Sequence, residues 1–343
     1  MQHVLSYLRS LSLNKGKAVV FRSPGNVSVE DVPLPEAGSD DVLVEITHSW
    51  ISNGTEGSYL RGERIDGDTP ILPGDPAPFP IISGYQKIGR IVWKGADIDD
   101  LEIGELVFCS VGRVEGMAEP RAGHLSPSVC SRGAVMKLPE GPLNPLAYAG
   151  LILTQVGYNC GWRPKVEPGD PAIVVGDGMV GQWAGQMLAY RGAEVTLIGR
   201  HPERLSLFSK GATLLEDDGD WMEVVASQYP AGIQVGVDTV GSLGVMDALQ
   251  QRMCRYGHLV SAGFYGPDDT FKIQPARYRE ISIDLVSGAT PDRLDETMKL
   301  IHQGALDTLS LITHHFPVDE AAAAWDLIQS KREHVLGVVL DWE

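Results

Sequence analysis

The 343-residue chain carries a formal net charge of −17 and is 43% hydrophobic, enough apolar content for a sizeable core. So acidic a surface repels a phosphate backbone, and no dense Lys/Arg run offsets it, so no nucleic-acid partner is expected. No stretch approaches the roughly 18–20 consecutive apolar residues of a membrane-spanning helix, so no membrane partner is expected either.

In the first sixteen residues, Val4, Leu5, Leu8 and Leu11 fall at the spacing of a short amphipathic helix. A basic start, long apolar run and small-residue cleavage site do not follow in order, so a signal peptide is not expected. The segment reads as an N-terminal extension (residues 1–16), or as translation begun upstream of the true start. From Lys17 to about Gly150 the chain is a series of short β-rich runs (KAVVF, VLVEI, IGRIV, ELVFCSV) broken by Gly and Pro, the pattern of a compact β-rich domain. Cys109, Cys130, Cys160 and Cys254 are far apart and form no C-x-x-C, which suits reduced thiols in a cytoplasm.

From about Pro171 strands and helices alternate. Ala172–Val175 reads as a buried strand, Val180–Arg191 as a helix and Val195–Ile198 as a second strand. A second helix starts at Pro202–Ser209. Gln234–Val237 and His258–Ser261 read as later strands, with a helix at about Val245–Met253 between them. Such alternation predicts a parallel sheet covered on both faces. After about Leu294 a helix, then ITHHFPVDEAAAAWDLI and HVLGVVLDW, read as a return to the first domain, making the domains discontinuous with a cleft between them.

The strongest motif is AIVVGDGMVGQWAG, residues 172–185. Gly176, Gly178 and Gly181 form GxGxxG directly after a strand and directly before a helix. The first glycine permits the tight turn, the second lets backbone approach a pyrophosphate, and the third lets helix and strand pack closely. Met179 and Val180 open the helix, whose free N–H groups face the phosphates. The alternative is a tight structural turn. About 20 residues past the first glycine an NAD site usually carries an acid for the ribose hydroxyls. Here Gly199 stands in that place, followed by Arg200, with His201 and Arg204 close by. An arginine can pair bidentately with a 2′-phosphate, so NADP(H) is expected over NAD(H). Otherwise Arg200 is a solvated residue and the site is indifferent. Val240, in the VGVDTVGS turn, and Gly263, in LVSAGFYG, are further cofactor-binding candidates.

In their order, KAVVF, the GTE segment, ISGYQKIGRIVWKGADI, LEIGELVF, VMKLPEG, the glycine motif, VGVDTVGS, LVSAGFYG and HHFPVDEAAAAWDLI resemble the medium-chain dehydrogenase/reductase family. The resemblance covers nearly the whole chain after Gly16. It implies an α/β protein: a GroES-like β-rich catalytic domain (1–152 and 295–343) plus a Rossmann domain with a doubly wound parallel sheet (153–294). It also implies assembly as a dimer or a tetramer, with a homodimer expected. Zinc-binding members carry Cys–Gly–Thr/Ser–Asp where this chain has Asn53, Gly54, Thr55 and Glu56, and Gly–His–Glu where it has Gly84, Tyr85 and Gln86. The third ligand would fall near Leu151–Leu153, which is apolar, and the four cysteines of a structural zinc lobe are missing. Zinc needs Cys, His or Asp/Glu ligands, so the site is expected to be metal-free. The pattern is similar to a zinc-free subgroup that distantly resembles 3-hydroxyethyl bacteriochlorophyllide dehydrogenase.

Without a metal, hydrogen-bond donors must stabilise charge on the substrate oxygen. Thr55 corresponds to the family's proton-relay hydroxyl, Tyr85 offers a phenol, and His124 sits where some zinc-free relatives place a histidine near substrate. These three are the catalytic candidates. Asn53, Gln86, Tyr59 and Arg61 are the substrate-binding candidates; the alternative is that they pack or face solvent. Glu56 reads as structural. The first expectation is hydride transfer between NADP(H) and a secondary alcohol or carbonyl. The second is reduction of an activated C=C bond, as in quinone and enoyl reductases. The third is a cofactor-binding protein without turnover.

Overall fold

The computed structural model describes residues 15–66, 69–216, 219–266 and 268–342; the expected N-terminal helix lies outside them. Two units divide the chain. One runs through Gly150 and resumes at Ile312, and the other is Leu151–Leu311. The second crossing falls at 311/312 rather than 294/295. The reason is that helix Pro291–His302 packs on helix Leu151–Trp162 within the second unit.

The first unit is mainly antiparallel β, with one parallel pair at its C-terminal strands. Lys15–Ser23 pairs with Asn26–Pro33 and Leu125–Ser126. A nine-stranded sheet is centred on Asp41–Ile51, flanked by Lys87–Lys94 and Ser128–Ser131. Gly337–Asp341 pairs with the same central strand and carries Ile312–Pro317 beside it, so the C-terminal segment completes this unit. Val19, Phe21, Ile51, Leu60, Trp325 and Val338 form one fully buried cluster. Helix Asn53–Leu60 leaves the central strand directly and bears the GTE segment.

The second unit is a six-stranded, all-parallel sheet. Its order is Ala212–Leu215, Glu194–Gly199, Pro171–Val175, Ile233–Asp238, Met253–Ser261 and Ser282–Leu285. The central strand reads as a continuous apolar run because both its faces are covered. Gly157 and Gly161 let helix Leu151–Trp162 lie tightly on helix Met179–Tyr190: a Cβ on either would come within 2.5 and 2.6 Å of Trp183 and Met187. The helix expected from Pro202 extends only to Leu205, because the chain then turns to bury Phe208 against Gly185 and Val195. The helix expected to end at Met253 stops at Arg252, and Met253 opens the next strand. Among the described residues no helix is long and apolar enough to cross a membrane.

Candidate active site

The glycine turn follows strand Pro171–Val175 and caps helix Met179–Tyr190 with Gly178. Gly176 has φ +116°, a conformation that favours glycine. A Cβ on Gly181 would sit 1.8 Å from the Gly176 carbonyl oxygen, so helix and turn meet backbone to backbone. A Cβ on Gly178 would meet nothing within 4 Å. The turn is therefore closed on its inner side and open on the side of the helix N-terminus, where amides await an anion. Met179 is buried and Val180 partly so. The residues fit a dinucleotide pyrophosphate. Gly181→Val is expected to abolish dinucleotide binding, a loss of about 100-fold or more, because backbone must move to admit the side chain. Fluorescence titration with NADPH checks this.

Across the sheet, Asp238 is fully buried at the end of its strand. Its carboxylate accepts from the backbone N–H groups of Val240, Gly241 and Ser242 and from the Tyr265 hydroxyl. This fixes the VGS turn and leaves Val240 46% exposed. Gly263 abuts the turn so closely that a Cβ would lie 2.0 Å from Gly241 N.

Gly199 ends strand Glu194–Gly199 and Arg200 follows it, but their neighbourhood holds acids that sequence reasoning missed. Arg200 lies 3.5 Å from Glu216, and Arg204 lies 3.3 Å from Asp177, the residue between the first two glycines. Burial raises the Asp177 carboxyl, but the bonds from His201 and the Arg204 charge outweigh it and hold the group below its ordinary value.

In the first unit, Tyr85 is partly buried and donates its phenol hydrogen to Ser52 Oγ at 2.6 Å. Thr55, on the first turn of helix Asn53–Leu60, acts on the same phenol. Burial pushes Tyr85 up to about 12; the Ser52 and Thr55 hydroxyls and the Arg64 charge pull it down, and the Glu56 charge pushes it up. The phenol thus keeps its proton at neutral pH and acts as a hydrogen-bond donor. Ser52 and the buried Arg64 are further members of this cluster.

His124 is a correction. It is fully buried, its Nδ1 bonded to Ser49 Oγ at 2.8 Å and its Nε2 to Glu56 Oε2 at 2.8 Å, with Trp325 edge-on to its ring. Both ring nitrogens are committed to Ser49 and Glu56 inside the β-rich unit, which leaves the ring no face toward solvent. Gln86 is corrected likewise: it is 1% exposed and donates to the Trp50 carbonyl. The Asn53 amide donates to the Leu336 carbonyl at 2.7 Å, which ties the helix start to the C-terminal segment. Tyr59 packs partly buried against the apolar cluster, and the exposed Arg61 forks onto Glu63 at 2.6 and 2.8 Å. Neither is shown facing the Tyr85 hydroxyls.

The side chains at the expected ligand positions are poor zinc ligands: Asn53 offers a neutral amide oxygen, without a hydrogen-bond partner while its Nδ2 donates to backbone, Tyr85 resists the ionisation that ligation requires, and Leu151 is apolar and fully buried. Among the described residues no group of three His, Cys, Asp or Glu side chains could hold a metal ion. The cysteines are free, and the fold brings Cys109 and Cys130 together in the barrel interior beside the buried Lys87.

Residues 180–303 match the family model described as zinc-binding dehydrogenase. Over 95% of this chain and 98% of the relative, the sequence is 26% identical to the 2-desacetyl-2-hydroxyethyl bacteriochlorophyllide A dehydrogenase of Cereibacter sphaeroides. It is 27% identical to the L-threonine 3-dehydrogenase of Ruegeria pomeroyi, over 90% of this chain and 94% of that one. A crystal structure of a zinc-binding dehydrogenase from Sinorhizobium meliloti, bound to NADP, shares the fold with a TM-score of 0.81. That match has 21% identity and covers 96% of this chain and 99% of the other. The strand–turn–helix glycine motif, the parallel sheet joined in one chain to a β-rich unit, and these full-length sequence relatives together support an oxidoreductase related to the medium-chain dehydrogenase/reductase family.

Proposed function

We propose that the chain transfers a hydride between NADP(H) and a secondary alcohol or carbonyl compound without a metal. The observation that carries this reading is the hydroxyl cluster of Tyr85, Ser52 and Thr55, in which Tyr85 takes the place that the resemblance gives to a zinc-ligand histidine and Thr55 that of the proton-relay hydroxyl. NADP(H), when bound, supplies or accepts the hydride. The glycine turn and the N-terminus of helix Met179–Tyr190 hold its pyrophosphate. Tyr85 turns its single hydrogen from Ser52 Oγ to the substrate oxygen, and the negative charge that gathers there as hydride arrives is stabilised by that bond. Ser52 and Thr55 orient the phenol and pass the proton that the alkoxide takes up. The hydride that NADP(H) would supply becomes a substrate C–H bond, and solvent restores the proton through the hydroxyls. Because the phenol is raised to about 12, no alkaline fall in rate from Tyr85 is expected below about pH 10.

The acidic surface and free thiols fit a cytoplasmic setting. The exposed Ile283 and Leu285 on the edge strand Ser282–Leu285 support a homodimer. The test is NADPH absorbance followed with ketones, aldehydes and α,β-unsaturated carbonyls. Turnover with ketones, and reversal with secondary alcohols and NADP⁺, is the expected result. Turnover of only the unsaturated compounds, to saturated products, would instead assign C=C reduction, with Tyr85 holding an enolate oxygen. NADPH binding without turnover on any member would end the enzymatic reading.

A further inference from the structure

The acid that an NAD site carries at the end of its second strand is missing at Gly199, yet a carboxylate occupies that space. It comes from Asp177, between Gly176 and Gly178, and is 5% exposed. A Cβ added at Gly199 would lie 2.4 Å from Asp177 Cβ and from its Oδ2, so the two positions compete for one volume. Oδ2 accepts from Arg200 N and His201 N, both at 2.8 Å. His201 Nδ1 lies 2.9 Å from Oδ2 and 3.1 Å from Oδ1, and Arg204 Nη1 donates to Oδ1 at 3.3 Å. Those backbone amides and the arginine are the donors a 2′-phosphate would use, and Asp177 already holds them. Arg204 nevertheless keeps a buried Nε with no hydrogen-bond partner, and Arg200 is exposed.

We infer that Asp177 is the residue that sets the choice between NADP(H) and NAD(H). This rests on the dinucleotide reading above and deepens it. The carboxylate competes with the 2′-phosphate for the amides and for Arg204, and repels it by charge. Toward NAD(H) the same oxygens can accept the ribose hydroxyls, as the acid at the strand end does elsewhere. The protein therefore takes both dinucleotides, and Asp177 narrows the preference for NADP(H) that Arg200, His201 and Arg204 create. Asparagine at 177 still accepts the amide bonds but carries no charge and releases Arg204.

The experiment is fluorescence titration of NADPH and NADH into the unchanged protein, Asp177→Asn and Arg204→Gln. The expected result is that Asp177→Asn shifts the NADPH-to-NADH affinity ratio about tenfold or more toward NADPH, while Arg204→Gln shifts it the other way. An unchanged ratio in Asp177→Asn, including equal weakening of both dinucleotides, would overturn the inference and leave the dinucleotide reading standing. Binding of neither dinucleotide by the unchanged protein would overturn both. Should Asp177→Asn fail to fold, competition on the unchanged protein decides. A gain of less than about tenfold for 2′,5′-ADP over 5′-AMP supports the inference, and one of about 100-fold or more overturns it.

Discussion

Glu56→Ala is expected to lower the unfolding free energy by about 3–5 kcal/mol, the loss typical of removing one partner from a buried charged network. Glu56 is fully buried on helix Asn53–Leu60. Its Oε1 accepts from Ser52 N at 2.7 Å, and its Oε2 from Ser83 Oγ at 2.9 Å and from His124 Nε2 at 2.8 Å. Alanine leaves three donors unsatisfied in a space water does not reach, each at a cost of about 1–3 kcal/mol before relaxation. The neighbouring backbone cannot readily yield. Gly84 has φ +90°, a Cβ there would strike the His124 ring at 2.7 Å, and Gly123 lies against Gly84. Urea denaturation checks this through a fall in midpoint at unchanged slope. Because Ser52 also receives the Tyr85 hydrogen, any Glu56→Ala protein that still folds should lose turnover as well. A loss under about 1 kcal/mol would show that the network is not what holds this helix to the barrel.

Tyr85→Phe is expected to lower kcat by about 10²-fold, the scale of removing one donor to a developing oxyanion. The ring stays, so packing is kept, and only the hydroxyl that meets Ser52 and Thr55 is lost. NADPH affinity and the denaturation midpoint should stay close to the parent values, which separates a catalytic loss from a structural one. Steady-state kinetics on the substrate found by the panel measures it. Unchanged turnover would remove Tyr85 from the chemistry and leave Thr55 as the donor.

The second unit was legible because its signals are local. A buried apolar strand, a glycine turn and a helix follow one another within Pro171–Tyr190, and each needs only its neighbours to be recognised. What escaped there was the residue type inside the motif. GxGxxG constrains its glycines and says nothing of the side chain between them, so the bonds of Asp177 to Arg200, His201 and Arg204 were not legible. The first unit was less legible because its site is assembled from distant strands. Ser52 and Tyr85 meet across 33 positions, and His124 and Glu56 across 68. A lone histidine in AGHLSPSV carries no sign of its depth, so His124 was expected beside substrate and instead anchors the barrel. Glu56 reads as structural from its place on the GTE segment, and its full burial accords with that.

The central claim is hydride transfer without a metal, with side-chain hydroxyls as the donors. The most direct measurement is turnover with NADPH after exhaustive dialysis against a strong chelator, with zinc determined by mass spectrometry on the same sample. The account predicts undiminished turnover at a zinc content far below one per chain. Turnover that falls with the metal and returns on adding zinc would contradict it.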